Sequence, residues 1–339
     1  MRCVRDGARY SARSISPDSA NARIRRVVAC DRCDAACPDR TRLLASFAQI
    51  PPPRASKDRN TMNSIEWMFR AACLMVAIWL CAGTAYAAEP EPHKLYETFT
   101  IESKTLGETR RINVYAPPGF DAKAKRKYAV LYMLDGGVKE DFPHLSNTVD
   151  EAIAAGQIEP VFVVGIENTR RGRDMTGPTQ VAQDRKIVPE VGGAAQFRAF
   201  IRDELIPQFE RRFRVNGRRG VIAESLAGLF VVETFLLEPD LFDTWVAISP
   251  SLWWNDRALL HTAAARLDAM PSKRKSALLL YSANEDNIAP ETQQLADMLK
   301  AHAPKGLRWD YRPRPDLRHG TIYRSVEAEA VRWALPVRK

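Results

Sequence analysis

The 339-residue chain divides into stretches with different hydrophobic periods. Residues 128–134 (Tyr-Ala-Val-Leu-Tyr-Met-Leu) form an almost unbroken apolar run, and residues 161–167 form another. Runs of this kind predict strands buried on both faces, as in a parallel sheet. Residues 95–103 and 109–115 instead alternate polar and apolar on either side of Leu106-Gly107, which predicts an antiparallel pair. Residues 220–223, 244–248, 277–282 and 307–311 predict further short strands. Between them apolar positions recur at helical spacing. Phe197, Phe200, Ile201, Leu205 and Phe209 mark a long helix over 194–213, and others are expected over 226–237, 257–270, 290–302 and 321–335. Pro290 stands where the first turn of a helix tolerates it. Strands alternating with helices predict one α/β domain spanning residues 88–339, with a mostly parallel sheet and helices on both of its faces.

Charge and cysteine change the picture only before residue 88. The formal net charge is +9, yet residues 1–87 carry 14 Lys and Arg against 7 Asp and Glu, while the remainder carries 36 against 34. The basic excess is therefore N-terminal, and the body has no electrostatic footprint for nucleic acid. All six cysteines (Cys3, Cys30, Cys33, Cys37, Cys73 and Cys81) lie in the same segment. Cys30, Cys33 and Cys37 have metal-ligand spacing but neither a histidine nor a second pair beside them, so no metal or other cofactor is expected. Residues 62–87 run from Met62 through Arg70 and an apolar stretch at 71–82 to the small-x-small sequence Ala85-Tyr86-Ala87. That predicts a signal peptide cleaved after Ala87, although Glu66 is off-pattern. The apolar stretch is short for a membrane span, and Leu80 before Cys81 is too large for lipoprotein processing. The expected product is periplasmic or secreted, without a membrane anchor, and its lack of cysteine suits an oxidising compartment. A signal peptide belongs at an N-terminus. Residues 1–61 are thus expected to be an over-extended reading upstream of a start at Met62 or Met68, the alternative being a disordered basic extension.

Candidate chemistry collects where predicted strands end. Val221-Ile222-Ala223-Glu224-Ser225-Leu226-Ala227-Gly228 leads from an apolar run into an apolar helix, with small residues two before and two after the serine. This is the form of a nucleophile elbow, except that alanine fills both outer positions of G-x-S-x-G. The N–H of Leu226, at the helix start, would point towards an oxyanion. Asp135-Gly136-Gly137 follows another strand, and Gly136 or Gly137 could supply the second donor. A serine hydroxyl needs an imidazole base, and that imidazole needs a carboxylate. Of the five histidines, His93 lies in a linker, His144 in the loop after the glycines, and His261 and His302 on helices. His319 lies between the last strand and the last helix, and Glu285 or Asp286, with Glu285 preferred, follows the strand between it and Ser225. The order Ser…acid…His is that of an α/β-hydrolase fold. Arg173, in the arginine-rich loop after residue 167, and the pair Trp253 and Trp254 are candidate substrate contacts.

Together these stretches resemble the bacterial esterase family of the α/β-hydrolase superfamily related to enterochelin-type siderophore esterases. The resemblance covers about residues 95–337. Besides the elbow it rests on Arg110-Arg111-Ile112-Asn113-Val114-Tyr115-Ala116-Pro117-Pro118-Gly119, Leu131-Tyr132-Met133-Leu134-Asp135-Gly136-Gly137, Ala247-Ile248-Ser249-Pro250-Ser251-Leu252-Trp253-Trp254 and His319-Gly320. It implies hydrolysis of a small carboxylic ester through an acyl-serine intermediate, with Ser225 as nucleophile, His319 as base and Glu285 as acid. Ala223 stands where the family usually has glycine. Acyl transfer, or a secreted binding protein on the same fold with weak turnover, remain the alternatives. Oligomeric state leaves no mark on the sequence.

Overall fold

The computed structural model describes residues 95–272 and 275–337. The expected signal peptide, the segment before it and its cysteines fall outside the described residues. The alternating segments form a hairpin at one edge of the sheet, β1 (Glu97–Ser103) antiparallel to β2 (Glu108–Tyr115). The apolar runs become β3 (Tyr128–Leu134) and β4 (Val161–Ile166), buried along their whole lengths. Strands β5 (Val215–Glu224), β6 (Thr244–Ile248), β7 (Ser276–Ser282) and β8 (Leu307–Pro313) complete an eight-stranded sheet in the order β1-β2-β4-β3-β5-β6-β7-β8. Strand β2 pairs antiparallel with β4, and every pairing from β4 to β8 is parallel. The carboxyl ends of β3 to β8 therefore open onto one rim, where ligand crevices form in such sheets.

Helices cover both faces. Helix α1 (Phe142–Ala154) joins β3 to β4. The short α2 (Arg171–Met175) and α3 (Ala182–Ile187) follow β4, and α4 (Ala194–Phe200) and α5 (Ile206–Arg212) precede β5. Then come α6 (Ser225–Leu237), α7 (Trp254–Ala269), α8 (Ala289–His302) and α9 (His319–Ala334). Phe142, Leu145 and Val149 of α1 pack with Ile322, Val326 and Val331 of α9 on one face. Helices α4 to α8 supply the core of the other. Helix α6 is apolar all round and buried along most of its length, as a helix at the centre of a large core must be.

Three features differ from the sequence expectations. The long helix expected over 194–213 is one path with a π-helical turn, Ile201–Leu205, between α4 and α5. Pro207 has no N–H to give the preceding turn, and the wider turn still leaves Phe197, Phe200 and Phe209 fully buried. His144 lies on α1, which the pattern does not single out, rather than in a loop. Its Nδ1 sits 2.9 Å from both carboxylate oxygens of Glu327 on α9. Helix α9 begins at His319 itself, with Thr321 Oγ1 accepting the Arg318 N–H at 3.2 Å. Among the described residues no helix is long and apolar enough to cross a membrane.

Candidate active site

At the end of β5 the chain must reverse into α6 within one residue. Ser225 takes that bend with φ of 63°, a left-handed conformation that costs an L-residue about 1–2 kcal/mol and persists only when its surroundings hold it. The closest packing falls after the serine. A Cβ on Gly228 would come within 3.1 Å of the Ile248 carbonyl oxygen and of Pro250 Cα. Ala223, by contrast, is accommodated as part of the core on β5, opposite Ala247. The loop after β6 clamps the bend, since the Ser251 N–H donates to the Ser225 carbonyl at 3.1 Å.

Ser225 Oγ lies 3.0 Å from His319 Nε2, and the other ring nitrogen, Nδ1, meets Glu285 Oε1. Asp286 is exposed, and it is Glu285 whose carboxylate reaches the imidazole. A residue with no role in the sequence reading completes the arrangement. Ser249 is fully buried, with φ of 42°. Its hydroxyl donates to Glu285 Oε2 at 2.9 Å while its Oγ accepts the Ala283 N–H at 3.1 Å. Ser249 follows β6 and Glu285 follows β7, so the parallel register of neighbouring strands, Ile248 opposite Tyr281, brings the two together. Ser249→Ala should leave Glu285 free to rotate. Ester turnover is expected to fall by about tenfold, the worth of one hydrogen bond to a charged group, with the fold retained. Steady-state kinetics beside a melting curve checks this.

The expected oxyanion donors divide. Leu226 lies in the first turn of α6, where a backbone N–H has no partner within the helix. Gly136 is corrected: its N–H already donates to the Ile166 carbonyl at 3.0 Å. Glycine is needed there for another reason, because a Cβ would stand 2.3 Å from Gly165 Cα, where the two backbones cross. The Gly137 N–H is held by Glu140 Oε2 at 2.6 Å, and Glu140 Oε1 in turn accepts from Asn168 at 2.8 Å. Burial raises the Glu140 carboxyl, against these hydrogen bonds and with the help of the Asp135 charge.

Two substrate-contact expectations are also corrected. Arg173 is engaged by carboxylates of its own chain, Glu108 at 2.8 Å and Asp174 at 2.6 Å. Trp254 is core: its ring is buried and its Nε1 donates to the Gly177 carbonyl at 3.1 Å. Trp253 is half-buried with its ring centroid 5.7 Å from that of Trp254. Arg171 makes two hydrogen bonds to Asp135, at 2.6 and 2.8 Å. It and Arg170 line a cavity of about 440 Å³ together with Ile187, Val188, Pro189 and Leu226, next to the serine. The His319 ring is raised above its ordinary range, chiefly by the hydrogen bond to Glu285. Burial opposes this, and the charges of Glu285 and Glu224 reinforce it. Among the described residues no group of three or more His, Cys, Asp or Glu side chains could hold a metal ion.

A mostly parallel sheet with a serine at a strained strand–helix bend, beside an imidazole and a carboxylate, defines a serine hydrolase of the α/β-hydrolase type. The family model described as "Putative esterase" matches residues 103–302, and the chain belongs to that family. It is 28% identical over 234 residues to the ferri-bacillibactin esterase BesA of Bacillus subtilis, covering 61% of this chain and 79% of that one. With the siderophore enterobactin esterase of Emericella nidulans it shares 32% identity over 164 residues, 42% of this chain and 52% of the other, so it spans about half of that relative. The solved IroE-like serine hydrolase from Shewanella oneidensis superposes with a TM-score of 0.63 at 27% identity, over 70% of this chain and 79% of that one. The chain is a carboxylic ester hydrolase.

Proposed function

We propose that Ser225, His319 and Glu285 hydrolyse a siderophore-type carboxylic ester through an acyl-serine intermediate. The observation that carries this reading is the 3.0 Å approach of Ser225 Oγ to His319 Nε2 with Glu285 behind the ring. His319 Nε2 takes the Ser225 proton as Oγ bonds to the ester carbonyl carbon. The carbonyl π electrons move to oxygen, where the Leu226 N–H receives the charge. Gly137 adds a second N–H once the substrate oxygen displaces Glu140. As the tetrahedral centre collapses, the alcohol leaves with the proton held by His319. Water then repeats the sequence on the acyl-serine and releases the acid. The substrate class follows the two relatives, a ferri-bacillibactin esterase and a siderophore enterobactin esterase. The cavity beside Leu226, with apolar Val188 and Pro189 and the donors of Arg171, fits a group that is apolar on one side and rich in acceptors on the other.

The reading includes export. Residues 62–87 are the signal peptide and the catalytic domain, 88–339, acts in the periplasm or outside the cell. One experiment tests both parts. Intact-mass analysis of the exported protein after fluorophosphonate treatment should give a chain beginning at Ala88 with a single adduct on Ser225. An unlabelled protein would count against the serine chemistry, and a labelled chain found only in the cytoplasm would count against export.

A further inference from the structure

Strand β5 sends alternate side chains to opposite faces of the sheet. Val221 and Ala223 enter the core under α6, while Ile222 packs with Ile322, Tyr323 and Val326 of α9. Glu224, the residue before Ser225, follows the alternation to the side of Ile222, where α1 and α9 begin. Its Oε1 is closed off from solvent and has no hydrogen-bond partner. Leaving a carboxylate oxygen in that condition is costly, and buried polar atoms are nearly always paired. Charged and titratable groups act on it from each element that meets there: His319 and Tyr323 of α9, Asp141 at the start of α1, Asp135 after β3, Glu285 after β7 and Arg171 of α2. Among these, His319 does most to favour the ionised carboxylate.

We propose that Glu224 is a positioning residue for His319, a second carboxylate beside Glu285 that sets how firmly the imidazole holds the proton taken from Ser225. The proposal rests on the assignment of Ser225 and His319 above. Glu224 forms no bond to substrate and acts only through its charge. Burial pushes its carboxyl up to about 7, His319 pulls against this, and Asp141, Asp135 and Glu285 add to it. Two ionisable groups that interact strongly titrate as a pair. The ionised carboxylate stabilises the imidazolium that forms as serine attacks, and the protonated one does not. Glu224 thus couples the strength of the base to pH near neutrality.

The test is an NMR titration of the His319 ring, identified by the signal missing from His319→Gln, in the wild-type chain and in Glu224→Gln. The glutamine keeps size and burial but cannot ionise. The His319 midpoint is expected to fall by about half a pH unit, the effect of removing one nearby charge through a partly polar medium. The acid limb of fluorophosphonate labelling should move down with it. Glu224→Ala should give the same lower midpoint, so the comparison survives if the glutamine variant does not fold. A purely structural role would lower the melting temperature and leave the midpoint in place, and an unchanged midpoint in either folded variant overturns the proposal. The ring titration needs no turnover. Failure of wild-type labelling would sink the esterase assignment, whereas an unaltered His319 titration sinks only this inference.

Discussion

Ser225→Ala is expected to lower kcat/KM for carboxylic esters by about 10⁵–10⁶-fold, the loss seen when one member of a catalytic triad acting as a unit is removed. The unfolding transition should stay where it is. Alanine adopts the left-handed φ of 63° at a cost similar to that of serine, and the contact that clamps the bend runs through the Ser225 carbonyl, not its side chain. The loss should appear in kcat rather than KM, because the cavity beside Leu226 is left untouched. It should also be uniform across a panel of p-nitrophenyl esters, a feruloyl ester and a catecholate lactone. A variant that kept its rate on any of these would place the nucleophile elsewhere. The relative wild-type rates across the panel define the substrate, and the lactone should be turned over fastest.

The parts of this site that could be read from the sequence are those whose meaning is local or follows chain order. Ser225 announces itself through the apolar run before it and the apolar helix after it. Glu285 and His319 follow because, in a parallel sheet, residues just past successive strands share one rim. What could not be read depends on register and on direction within a turn. Ser249 reaches Glu285 only because β6 and β7 pair with Ile248 opposite Tyr281. Gly136 resembles an oxyanion glycine in sequence, but its place is dictated by Gly165 on the neighbouring strand. Arg173 and Arg171 are two apart on a single helical turn, so they project about 200° apart. One turns to the Glu108 and Asp174 carboxylates, the other to Asp135. The run of arginines in the sequence does not say which carboxylate each of them meets. The two tryptophans stand together in the sequence and differ in the fold: Trp254 is buried with its Nε1 on the Gly177 carbonyl, and Trp253 is half-buried.

Arg110→Met is expected to destabilise the domain by about 3–5 kcal/mol, the usual result of removing one partner from a buried ion pair. Arg110 is fully buried, and so is Asp174, 2.6 Å away. The same guanidinium bonds Glu108 at 2.9 Å, Thr169 at 2.6 Å and the Glu167 carbonyl at 3.0 Å. It also lies 5.1 Å from the ring centroid of Phe197 and 5.9 Å from that of Phe200. Methionine can replace the contact with the rings but none of the charge, so Asp174 is left in the core with Arg173 as its remaining partner. For a domain of this size the melting temperature should drop by about 10 °C, and Arg110→Met with Asp174→Asn should recover part of it. Acid sensitivity separates the electrostatic share from the packing share. Partial burial alone would raise the Glu108 carboxyl, but hydrogen bonds from Arg173, Thr169 and Arg110 hold it down at about 2. A carboxylate depressed in the folded state stabilises above its unfolded pKa, about 4.3, and that contribution is lost as pH falls towards the folded value. The gap between wild type and Arg110→Met should therefore be constant near neutral pH and narrow between about pH 4.5 and pH 2. A gap that did not narrow would assign the loss to packing against Phe197 and Phe200. Function should suffer before unfolding does, because Arg110 ties the Glu167 carbonyl and Thr169 to the sheet and so anchors the segment from which Arg171 reaches Asp135, two residues before the Gly137 N–H.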